Sequence, residues 1–183
     1  MDTQALAAGV EPGGLTNRTD IKVLLCYIIK SIDEPISRTQ LSEIMQEESL
    51  ANYFEVSQAI EELVVGGNLQ PDDKNGKEIL HITEKGLQAA NMLESDLPRS
   101  VREKAINSAI RISTLARRKQ ENKVDVEKTD DGYNVTFHLG DEKTELMKLT
   151  VFFADEIQVE TVKENFYNDP VKLYSGIIAS LTV

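Results

Sequence analysis

The chain contains no tryptophan and a single cysteine, and aromatic residues make up only 5% of its 183 residues. With one thiol, Cys26, no internal disulfide can form, and its place in the apolar run KVLLCYIIKSI predicts a small buried side chain. No apolar run approaches the length of a membrane span, and the first residues lack the basic and apolar regions of a secretory signal. We therefore expect a cytoplasmic protein that does not associate with membranes.

Sequence patterns for catalysis and metal binding are also missing. His81 and His138 each fall within a predicted strand, without a nearby cysteine or second histidine, so no metal site is expected. The chain has no P-loop, no dinucleotide-binding fingerprint and no Gly-x-Ser-x-Gly nucleophile motif. We expect neither a cofactor nor an enzymatic activity.

Positive charge is scarce and unevenly distributed. The net charge is −11, which favours solubility and repels phosphate unless basic residues are locally segregated. Residues 19–97 hold 15 acidic and 6 basic side chains, residues 98–123 hold 2 and 8, and residues 124–183 hold 12 and 5. The basic surplus therefore lies in one short central segment.

The first half of the chain predicts helices followed by a hairpin. After a flexible tail over residues 1–18, helices are expected from Thr19 or Asp20, from the capping-box sequence Ser37-Arg38-Thr39-Gln40, and over 52–65, ended by Gly66-Gly67. LQPDDKNGKEILHI then reads as two strands joined at Asn75-Gly76, and Thr83 is suited to cap a fourth helix. This order over residues 19–97 is typical of a winged helix-turn-helix.

The second half predicts a long helix and then a mixed α/β segment. In the connector segment, residues 98–123, we expect one long helix from Arg99 to about Gln120, which also offers a dimer interface. Residues 124–183 predict a three-stranded antiparallel sheet and two helices, near Glu156–Phe166 and Pro170–Leu181, for dimerisation or for sensing a ligand. The predicted fold class is α+β.

These segments resemble a known group of proteins. NYFEVSQAIEEL, GGNL, the polar hairpin and ITEKG together resemble the winged-helix core of bacterial transcription regulators such as the PadR-like group. Over about Asp20 to Leu181 the chain is similar to a bacterial domain-of-unknown-function family with a winged-helix N-terminal half and an α/β C-terminal half. The resemblance implies regulation of transcription and supplies neither an operator nor an effector, so any small-molecule effector remains unknown.

Double-stranded DNA is the partner that this hypothesis implies. Asn and Gln side chains can read adenine edges, and Ser can contact a base or a phosphate. The candidate DNA-binding residues are Arg38, Asn52, Tyr53, Ser57, Gln58, Lys74 and Lys77. An ordinary solvated helix surface explains the helical residues equally well, and Asp72 and Asp73 offset the two hairpin lysines.

The connector helix leaves two further alternatives open. Ile106 and Ile110 fall off its main apolar stripe, so we expect them at a homodimer interface. Its basic side could reach DNA or could neutralise the acidic segments of the same chain. Because residues 19–97 are so acidic, the alternative to a DNA-binding regulator is a winged-helix protein-interaction module that binds no DNA.

Overall fold

The computed structural model describes residue 10 and residues 14–32, 34–74, 76–140 and 144–182. The fold class is α+β, and these residues form seven α-helices and two three-stranded antiparallel sheets. The chain divides into two compact units, Met1–Ser113 and Thr114–Val183, and the division falls within the longest helix. None of the helices in the described ranges is long and apolar enough to cross a membrane.

The first unit combines helices with a small sheet. Its elements are α1 (Arg18–Ser31), β1 (Ile36–Ser37), α2 (Arg38–Glu47), α3 (Tyr53–Val65), β2 (Leu69–Lys74), β3 (Lys77–Ile82), α4 (Glu84–Leu93), a 3-10 turn (Glu94–Asp96) and the start of α5 (Arg99–Glu121). The second unit contains the end of α5, β4 (Lys123–Thr129), β5 (Gly132–Gly140), β6 (Glu145–Phe153), α6 (Glu156–Asn168) and α7 (Pro170–Leu181).

Side-chain caps fix where the first helices begin. The capping box predicted at Ser37 and Gln40 is confirmed, since each side chain bonds the other residue's backbone N–H. Thr83 caps α4, as predicted, and accepts a hydrogen bond from the N–H of Gly86. The predicted start of α1 was wrong by one or two residues, because the side chain of Asn17 caps the helix.

The hairpin β2–β3 is completed by a strand that the sequence did not reveal. The strand order is β1-β3-β2, and β1 pairs with β3 through Ile36 opposite Leu80. The strand β1 has only two residues, Ile36 and Ser37, which are too few to show an alternating pattern, so the sequence did not predict it. At the turn Gly76 has a φ of +74°, a conformation that suits glycine; the other predicted turn residue, Asn75, lies outside the described residues.

A continuous apolar core holds the first unit together. The side chains of Ile21, Leu24 and Ile28 on α1 are fully buried, as the helical spacing predicted. Cys26 is also buried, as predicted, and burial raises the pKa of its thiol to about 11. Leu15, within the predicted tail, is buried and donates its backbone N–H to Leu50, so this part of the tail packs against the first unit.

The second unit is a sheet covered on one face by helix α6. Its strand order is β4-β5-β6, with consecutive strands antiparallel, so the predicted three-stranded sheet is confirmed. Val135 and Phe137 of β5 pack with Val159 and Phe166 of α6. Both predicted helices are present, although α6 extends two residues beyond its predicted end at Phe166.

Candidate functional site

Helix α3 presents aromatic and neutral polar side chains to solvent. Asn52 caps the helix by accepting a hydrogen bond from the N–H of Phe54 at 2.9 Å. Tyr53 is 50% exposed and Phe54 is 75% exposed, and their rings meet edge to face with centroids 5.6 Å apart. One turn further on, Gln58 is exposed and Ser57 is partly exposed.

Two carboxylates of α3 are bound by basic side chains of α1. Arg18 donates to Glu55 at 2.8 and 2.9 Å and to Glu62 at 3.1 Å. Lys22 donates to the second oxygen of Glu62 at 3.0 Å, and this hydrogen bond is the main reason that the pKa of Glu62 is lowered. The negative charge of α3 is therefore largely balanced within the unit.

Arg38 joins α3 to the hairpin. Its guanidinium forms an ion pair with Glu61 of α3 at 2.9 Å and another with Glu78 of β3. Only about a quarter of the Arg38 side chain is exposed. The geometry gives this residue a positioning role, since it ties the third helix to the strand that carries the hairpin tip.

The two hairpin lysines stand free at the tip. Lys74 and Lys77 lie opposite each other in the β2–β3 register, both are exposed, and neither forms an ion pair with the residues that the structure describes. One carboxylate oxygen of Asp73 accepts a hydrogen bond from the N–H of Gly76 at 2.9 Å. The tip therefore presents the two lysines beside two exposed aspartates, and one of these aspartates also holds the turn.

Basic residues of the long helix are engaged within their own units. In the first unit Arg111 pairs with Glu47 at 2.6 Å and with Glu48 at 3.4 Å. In the second unit Lys119 lies over the ring of Tyr167, 5.7 Å from its centroid. The charge of Arg111 is therefore paired within the chain, whereas Lys119 contacts an uncharged ring and keeps its positive charge.

The residues predicted for dimerisation differ in exposure. Ile110 is 56% exposed, whereas Ile106 is partly buried. Their use at a dimer interface stays a prediction.

A cavity of about 390 Å³ lies in the second unit between the end of α5 and helix α6. Its lining mixes charged and apolar groups: Leu115, Lys119, Glu160, Lys163, Glu164, Tyr167 and Asn168. Lys163 is held by Glu160 at 2.8 Å. No group of three or more histidine, cysteine or acidic side chains that could hold a metal ion occurs in the described part of the chain.

Sequence reasoning missed Arg18 and Lys22 as partners of α3. The sequence feature that points to such partners is the spacing of Glu55 and Glu62, which are seven residues apart and share one side of the helix. That spacing indicates a shared basic neighbour but does not say which element supplies it. Phe54 was also missed, although it adjoins the predicted Tyr53.

The comparisons with known proteins identify a family without an assigned activity. Neither the curated proteins nor the solved structures contain a match to this chain. Residues 21–181, most of the chain, match the family described as "Domain of unknown function (DUF4364)". The chain therefore belongs to the DUF4364 family.

Proposed function

We propose that this protein is a DNA-binding transcription regulator whose residues 19–97 form a winged helix-turn-helix. In this assignment α2 and α3 are the helix-turn-helix pair, and α3 is the helix that enters the major groove. The hairpin β2–β3 is the wing. The order of elements supports the assignment, as does the short strand β1, which pairs with β3 directly before α2.

The observation that carries the proposal is the charge balance around α3. Its three glutamates, at positions 55, 61 and 62, each face a basic side chain of the same unit. A helix with three unpaired carboxylates would repel the phosphates that flank the groove. With those carboxylates paired, the helix can approach DNA through its uncharged side chains.

The exposed side chains of α3 suit A·T base pairs. Gln58 can form a bidentate contact with adenine, and Phe54 offers an apolar contact for the methyl group of thymine. Helix α3 contains no arginine or lysine, so it lacks the common bidentate reader of guanine. We therefore expect a half-site whose central positions are A·T.

We assign the contacts with DNA phosphates to the wing and to Ser57. Lys74 and Lys77 are exposed and free of ion pairs with the described residues, and the hydroxyl of Ser57 can bond a phosphate oxygen. Two lysines neutralise about two phosphates. We therefore expect a plot of the logarithm of the binding constant against the logarithm of the salt concentration to have a slope of about −1.8 for each copy bound. We assign Arg38 to positioning, because its guanidinium already binds two carboxylates.

Selection of duplexes from a random pool tests the proposal. The full chain is incubated with the pool at near-physiological salt, and bound duplexes are sequenced over several rounds. We expect an enriched A·T-containing motif for the native chain and loss of enrichment for Gln58→Ala. Lys148→Ala changes an exposed lysine of the second unit and serves as the control that keeps the motif. No enriched motif, together with no binding at low salt, would exclude DNA binding.

A second candidate function is a protein-interaction module without DNA binding. The observation that favours it is the exposed apolar surface of α3, where Phe54 and Tyr53 begin the helix and Val65, 86% exposed, ends it. Exposed aromatic residues are enriched at the centres of protein interfaces. An affinity for a purified partner that Phe54→Ala abolishes, in a chain that selects no duplex, would favour this function.

A further inference from the structure

The C-terminal helix α7 carries apolar surface that its own unit leaves uncovered. Lys172 is its only charged residue, and Pro170 is its only buried one. Leu173 and Tyr174 pack against the core of the second unit. Val171 is 61% exposed, and the later residues Ile178 and Leu181 are 42% and 75% exposed. A helix that is apolar on more than one side is normally buried, so a second surface is needed here.

The uncovered side of α7 has a symmetric arrangement. Val171, Ser175, Ile178 and Thr182 follow one another at intervals of four, three and four residues. Residues three or four apart on a helix are neighbours, so these four form one stripe. Their spacing is the same in both directions along the helix. Two antiparallel copies related by a two-fold axis would set Val171 opposite Thr182 and Ser175 opposite Ile178, as a self-complementary interface requires.

Charge supports a second copy as the occupant of this surface. Lys172 lies in the first turn of α7, at the positive end of the helix dipole, and forms no ion pair with the described residues. In an antiparallel pair its ammonium group would lie beside the negative C-terminal end of the partner helix. Residues 170–182 contain no acidic side chain, although residues 124–183 hold 12 acidic and only 5 basic ones. This helix is therefore a place where two acidic units can meet with little repulsion.

We infer that α7 pairs antiparallel with α7 of a second copy of this chain and forms a homodimer through the stripe centred on Ser175 and Ile178. The interface differs from Ile106 and Ile110 on the long helix, and it does not depend on DNA binding. Because none of the four side chains in the stripe is charged, moderate salt should not dissociate the dimer.

Sedimentation velocity of the full chain at micromolar concentration tests the interface. We expect a dimer for the native chain and a monomer for Ile178→Glu, with the dissociation constant raised at least about 100-fold because each dimer carries the substitution twice. Ser180→Glu adds the same charge to the same helix outside the stripe and should leave the dimer intact. Circular dichroism confirms that both variants are folded. A monomeric native chain, or a dimer unaffected by Ile178→Glu, would overturn the inference.

Disulfide cross-linking tests the antiparallel orientation. Val171 and Thr182 are 11 residues apart, which is about 16 Å along a helix, so only antiparallel pairing brings one against the other in the partner. The double variant Val171→Cys with Thr182→Cys should form a covalent dimer on mild oxidation, and Val171→Cys alone should not. The native Cys26 is buried and does not interfere. Efficient cross-linking by Val171→Cys alone would indicate parallel pairing and contradict the proposed geometry.

Discussion

Replacing Arg38 with alanine separates a positioning role from a phosphate contact. The substitution removes the ion pairs with Glu61 and Glu78, whose side chains are 62% and 40% exposed and can recover hydration. Exposed pairs contribute about 0.2–1 kcal/mol each. The stem of Arg38, about three quarters buried, adds packing that is also lost. We therefore expect the free energy of unfolding to fall by about 1–2 kcal/mol.

Urea unfolding followed by circular dichroism measures this loss. A slope of about 2 kcal/mol per molar urea converts it to a midpoint shift of about 0.5–1 M. Arg38→Lys keeps the charge but cannot reproduce the guanidinium fork, so we expect an intermediate midpoint. Arg99→Ala is the matched control, because Arg99 is 83% exposed and pairs along its own helix with Glu103. Its midpoint should not move measurably.

The affinity of the Arg38→Ala variant for a selected duplex is then measured over a series of salt concentrations. If Arg38 only positions α3, Arg38→Ala leaves the dependence of binding on salt unchanged. A phosphate contact would instead make the slope shallower by about 0.9. An unchanged urea midpoint together with a shallower slope would refute the positioning role.

Three further predictions concern stability and reactivity in the first unit. The hydrogen bond from Lys22 lowers the pKa of Glu62 below 4.5, so the stability that Glu62 contributes is present above pH 4.5 and is lost as the pH falls through the lowered pKa. Lys22→Met should therefore make the free energy of unfolding, measured by urea unfolding, less sensitive to pH below 4.5. An unchanged pH profile would contradict the assignment. Cys26, with its thiol pKa raised to about 11, should react with a disulfide reagent at pH 8 far more slowly in the folded than in the urea-unfolded chain, and equal rates would refute its burial. Gly86→Ala would place a methyl group 2.2 Å from the backbone oxygen of Asn68, so thermal unfolding should show a loss of about 1–3 kcal/mol, whereas an unchanged melting temperature would show that the loop can move aside.

Local signals in the sequence predicted most helices and strands. Ser37 and Gln40 occur at the spacing of a capping box, and the alternation along β6 marks one apolar face. Such signals involve residues a few positions apart, so they can be read without knowledge of the fold. The strand β1 could not be predicted this way, because its pairing with β3 joins residues more than 40 positions apart.

The candidate surface was predicted less completely, because its electrostatics depend on contacts between distant residues. The sequence indicated Tyr53, Ser57 and Gln58 on one helix, and the structure places all three on α3. It did not show that Arg18, 37 residues before Glu55, would balance the acidic charge of that helix. Counting charges along the segment therefore did not show that the glutamates of α3 have basic partners.

The salt dependence of DNA binding tests the central proposal most directly. The dissociation constant for a selected duplex is measured over a series of salt concentrations for the native chain and for the double variant Lys74→Ala with Lys77→Ala. We expect sequence-specific binding by the native chain, and a slope shallower by about 1.8 per bound copy in the variant. Identical slopes for the two proteins, or no binding by the native chain at low salt, would contradict the proposal that α3 and the hairpin form a DNA-binding surface.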